Sequence, residues 1–134
     1  MRRPAAFLLV LLAVALTGCT TAGSAKSKKF TGAEGDVAKV VSDLESAGQR
    51  KDATKLCTQL FAKSLVETLD SGGTTCKTEM EKATADSDDF SLDVRDVSIT
   101  GTQATATVRQ GTNGKDHTIT FAREGNSWKV SQLN

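Results

Sequence analysis

The chain has 134 residues, with 17 Lys and Arg against 16 Asp and Glu, a near-balance that gives no electrostatic footprint for nucleic acid. Five Phe, one Trp and no Tyr are too few aromatics for the stacking platforms that single strands or sugars use.

The chain opens with Met1, Arg2 and Arg3, followed by an apolar run from Ala5 to Leu16. A basic start, a short apolar region and then small residues are the order of a secretory signal peptide. The run is well short of the ~20 residues that a permanent transmembrane helix needs. Leu16-Thr17-Gly18-Cys19 then resembles the lipobox of bacterial lipoproteins, in which an aliphatic residue and two small ones precede the cysteine at the cleavage point. The resemblance implies removal of residues 1–18, lipidation of Cys19, and anchoring on the extracytoplasmic face of the cell membrane. A plain secretion signal with a stray cysteine is the competing reading.

Removing residues 1–18 leaves 116 residues, enough for one domain with a modest core. Cys57 and Cys76 then remain as an even pair, which outside the reducing cytosol is most simply a disulfide. A zinc site and a reactive thiol are the alternatives, although zinc would need two further ligands and His117 is the only histidine.

Residues 19–33 are rich in Gly, Ser, Ala and Lys with almost no apolar period, the composition of a flexible tether. Lys26, Lys28 and Lys29 are placed to touch anionic headgroups; the plainer reading is that they keep a linker soluble. The folded part is expected over residues 34–134. Val37, Val40, Val41 and Leu44 form a helical stripe, with Asp36 as the expected cap and Gly48 as the stop. A second helix is expected from Asp52, with Leu56, Leu60, Phe61, Leu65 and Leu69 along one side, ending at Ser71-Gly72-Gly73. A third runs from about Thr75 to Ala85 and turns Cys76, Met80 and Ala83 inward.

After Asp89 the apolar period switches to two. Leu92 and Val94 alternate, then Val97 and Ile99 alternate on the other parity, which predicts a β-bulge near Arg95-Asp96. Ala104, Ala106 and Val108 mark a second strand, and His117, Ile119 and Phe121 a third. Trp128 and Val130 mark a fourth that frays at Gln132. Three turn signals separate these runs, so the strands form an antiparallel meander. The expected fold is α+β, N-terminal helices packed on one face of a four-stranded antiparallel sheet.

Residues 36–134 resemble the NTF2-like, cystatin-like superfamily, and among its members the small lipoproteins of actinobacterial envelopes. The likeness is carried by Asp52-Ala53-Thr54-Lys55-Leu56-Cys57, by Thr75-Cys76, by Val94 through Val108, and by Gly125-Asn126-Ser127-Trp128-Lys129-Val130. The small strand pair usual between the second and third helices has no room in Asp70–Thr74. The resemblance implies a sheet curled around a cone-shaped cavity, with His117, Phe121 and Trp128 as cavity or ligand candidates. Some members are isomerases, dehydratases or hydrolases, but an isomerase site of the Asp-and-Tyr type needs a tyrosine that this chain lacks. A lone His117 offers a general base without an identifiable partner.

Asp86-Ser87-Asp88-Asp89, with Asp93 and Asp96, is the densest acidic cluster, but it lacks the central Gly and terminal Glu of an EF-hand loop. It reads as a solvated connection, and no metal or cofactor is expected. The sequence therefore points to a membrane-anchored, non-catalytic module that binds a small apolar ligand or an envelope protein. A cavity enzyme is the alternative, and the uncovered sheet face leaves a homodimer open.

Overall fold

The computed structural model describes residues 29–134; the expected signal peptide, Cys19, Lys26 and Lys28 lie outside them. The order is α1 (Gly32–Gln49), α2 (Ala53–Lys55) continuing into a π-helical turn (Leu56–Leu60), α3 (Lys63–Asp70), α4 (Cys76–Ala85), then β1 (Leu92–Thr100), β2 (Gln103–Gln110), β3 (Asp116–Glu124) and β4 (Ser127–Leu133). The four strands pair in sequence order, each antiparallel to the next. The expected α+β layout of helices followed by a meander is the observed one.

Helix α1 begins at Gly32, inside the stretch expected to be tether and four residues before Asp36. Val37 and Val41 are fully buried, and Val40 and Leu44 pack half-buried beside them. Gly48 does not stop the helix. It lies in the last turn because the Phe90 ring rests on it: a Cβ at Gly48 would come within 2.6 Å of Phe90 Cδ1. The chain turns instead at Lys51, at φ 56°. The N–H groups of Lys51 and Asp52 reach back to the carbonyls of Gly48 and Ala47, satisfying the last helical acceptors.

Asp52 does cap the next segment, its Oδ1 accepting from the Lys55 N–H at 2.9 Å. The helix expected to continue to Leu69 is broken at Phe61–Ala62. The Phe61 N–H donates to Leu56 O in the widened turn, and the Ala62 N–H donates to Val130 O at 2.8 Å, with Phe61 bridging Val130 in parallel. Strand β4 is an outer strand, and Phe61–Ala62 covers part of its open edge. That tertiary demand overrides a helical apolar period. Beyond it, α3 buries no residue fully.

Thr75 caps α4, accepting from the Thr78 N–H at 3.2 Å. Cys76 is buried and is joined to Cys57 as a disulfide, with a Cα–Cα distance of 6.1 Å. It pins α4 to the π-turn. Thr84 is buried further along α4, whereas the expected inward Ala83 is exposed.

The register of β1 on β2 shifts between Val94 and Asp96, as the parity switch predicts. Leu92, Val94, Val97 and Ile99 all join the helix-facing core. A second bulge was not anticipated. Between β3 and β4 the register shifts after Phe121↔Val130, so that Thr120 faces Gln132 and Ile119 faces Leu133. The strand thus continues past the point where it was expected to fray. Ser131 absorbs the extra residue, and Leu133 returns to the face of Ile119. Bulges bend the strands that carry them, here in both outer strands.

Candidate apolar cleft

The helices and the sheet part at one end of the domain, leaving a cleft of about 350 Å³. Leu44 and Gly48 of α1 form one side, Leu56 and Phe61 the back, and Met80, Ala83 and Thr84 of α4 the other side. The sheet contributes residues from the ends of its strands: Leu92, Val108, Gln110, His117, Ile119, Leu133 and Asn134, with Phe90 on the connection into β1. The cleft is therefore framed by the β2–β3 turn, the start of β1 and the end of β4.

Four hydrogen bonds tie the segments at this end of the domain together. Glu45 Oε2 accepts from the Leu92 N–H at 2.9 Å, and Gln110 Nε2 donates to Asp89 O at 3.2 Å. The Gly111 N–H donates to Ser91 O, and the Asn134 N–H to Thr118 O. Thr84 is the polar residue buried in the wall. Its hydroxyl donates to Met80 O at 2.8 Å, so it is satisfied within α4.

The three residues expected in a cavity separate. His117 lies on the helix-facing side of β3, opposite Val108, but near the strand's start, where it is exposed on the rim. Phe121 is fully buried in the core and does not line the cleft. Trp128 is 5% exposed and belongs to the other end of the domain, beside Leu60 and Val40, with the Arg123 guanidinium 5.7 Å from its ring. The side chains that do line the cleft without having been singled out include Phe90 and Leu133. Phe90 had a signal, an isolated aromatic at the end of a polar run. Leu133 had none, because the bulge at Ser131 sets its direction.

No Asp or Glu is among the described residues lining the cleft. Asp116, next to His117, accepts from Arg109 Nε at 2.8 Å, and that bond holds its carboxyl below the usual carboxylate range. Asp89 is likewise lowered, by hydrogen bonds from the Ser91 hydroxyl and N–H. These bonds tie Asp89 into the α4–β1 connection. Among the described residues no group of three His, Cys, Asp or Glu side chains is arranged to hold a metal, and no helix is long and apolar enough to cross a membrane.

Comparison with protein-family models, with curated proteins and with solved structures finds no match to this chain. The functional reading rests on the cleft and on the N-terminal sequence.

Proposed function

We propose that this protein is a membrane-anchored extracytoplasmic lipoprotein whose single NTF2-like domain binds a small apolar ligand without turning it over. The observation that carries the reading is the cleft: about 350 Å³, within the ~300–1,000 Å³ of ordinary ligand sites, with apolar walls and few polar groups. The NTF2-like reading is supported by the run of helices followed by a bulged meander, with the cleft between the two layers. The anchoring half of the proposal rests on Leu16-Thr17-Gly18-Cys19 behind a basic stretch and a short apolar run.

Each methylene transferred into such a cleft is worth ~0.8 kcal/mol. Ten of them give roughly 8 kcal/mol before the cost of association, which sets the expected affinity at micromolar or weaker. Ala83 is the residue to change, because it is small, exposed and on the wall. A tryptophan there extends into the cleft without displacing core. The fluorescent probe 1-anilinonaphthalene-8-sulfonate should bind the native protein at one saturable site and lose at least tenfold in affinity in Ala83→Trp. A probe that binds both proteins equally would contradict a ligand site at the cleft.

A further inference from the structure

Resting on that reading, we infer that the ligand is one acyl chain of a bilayer lipid, drawn in through a mouth whose apolar edge is Leu133 and Phe90. Three observations converge on this class.

Polarity is distributed by depth. Gln110 ends β2 and His117 is the second residue of β3, so with Asn134 the polar groups ring the mouth, while the one buried hydroxyl among the described residues, on Thr84, is already bonded to Met80 O. A ligand carrying polar atoms along its length would bury them unpaired, at a cost. A ligand that is apolar throughout and polar at one end leaves its head at the ring. The volume of about 350 Å³ is near the bottom of the ~300–1,000 Å³ range. It suits one chain rather than the paired tails of a whole lipid.

The apolar surface continues outside. Leu133, at 47% exposure, is the one large exposed hydrophobic among the described residues, and it stands on the cleft. The bulge at Ser131 puts it there. Without that bulge the position of that parity would be the polar Gln132. Half-buried Phe90 completes the edge. An apolar edge on one part of an otherwise polar mouth gives a hydrocarbon chain its point of entry and leaves a polar head beside Gln110, His117 and Asn134.

The reach is sufficient. Asp36 and Lys39 of α1 lie beside Asn126 of the β3–β4 turn, whereas Leu44 and Gly48, further along α1, line the cleft. Gly32 and the mouth are thus near opposite ends of α1, ~24 Å apart at 1.5 Å per residue. Twelve residues, or thirteen Cα-to-Cα steps, lie between Cys19 and Gly32. Fully extended they span at most ~45 Å, enough for the domain to turn its mouth onto the membrane that holds Cys19.

The test uses the lipidated full chain reconstituted in phosphatidylcholine vesicles containing a phosphatidylglycerol with a diazirine in one acyl chain. After irradiation, cross-links are mapped by mass spectrometry. Label on Leu44, Met80 or Leu92 is expected, reduced at least tenfold in Ala83→Trp and severalfold in Leu133→Asp, and unchanged in Lys55→Ala at the opposite end. Label confined to residues 19–31, or equal in all variants, overturns the inference. If the naphthalene probe binds the cleft while no acyl label enters it, the lipid inference falls and the ligand-binding reading stands. If neither enters, both fall.

Discussion

Removing the Cys57–Cys76 disulfide by the double change Cys57→Ala/Cys76→Ala should loosen one wall of the cleft before it unfolds the domain. The bond closes a sequence separation of 19 residues, which in the chain-entropy account restricts the unfolded state by roughly 3 kcal/mol. At ~4–8 °C per kcal/mol for a domain of this size, the melting temperature should fall by about 12–24 °C. The loss should be unevenly distributed, because α3 buries no residue fully and α4 only Cys76 and Thr84. Half-buried Leu65, Val66, Leu69 and Met80 are what else hold that helical pair to the core. Hydrogen exchange in residues 63–85 should therefore accelerate first, while the amides of β2 and β3 stay protected. Calorimetry and exchange on the native and doubly substituted proteins make the comparison. A fall of less than about 4 °C with α4 protection unchanged would refute the claim that the disulfide holds this wall.

Cys19→Ala should leave the precursor uncleaved or release the protein to the medium, read by membrane fractionation; normal processing and unchanged membrane association would contradict lipid anchoring. Trp128, the single tryptophan, is 5% exposed, so native emission should be shifted to the blue of free aqueous tryptophan and move red on unfolding. Arg109→Ala removes the hydrogen bond that lowers the Asp116 carboxyl, so an NMR titration should show that pKa rising toward the ordinary value. The sign for stability follows: the contribution of Asp116 is present above the unfolded-state carboxylate pKa and is lost as pH falls through the lower folded value. In the Arg109→Ala protein the acid limb should depend less on Asp116.

The strands were more legible than the helices. Alternation located all four strands, and the parity switch at Arg95-Asp96 announced the first bulge, since one parity is apolar before it and the other after it. The bulge at Ser131 left no such mark, because only Leu133 follows it. The helical pattern of Leu56 through Leu69 misled for the opposite reason. Leu60, Phe61 and Leu65 have a helical spacing, but the edge of β4 takes the Ala62 N–H, and nothing local encodes that demand. Gly48 has the position of a helix stop, but its small size serves the contact with Phe90, a partner 42 residues away. The cleft was only half legible. His117 was on the correct face, but parity alone does not say how far along a strand the helices reach. Phe121 therefore fell in the closed core and Trp128 at the far end.

Native mass spectrometry of the protein extracted from the cells that make it tests the central claim most directly, because the cleft would then carry whatever it holds in the cell. The account predicts a reproducible mass increment from one small apolar molecule, absent from Ala83→Trp extracted in the same way. A bare protein mass in both, or a purified domain that chemically converts a component of a cell extract, would contradict it.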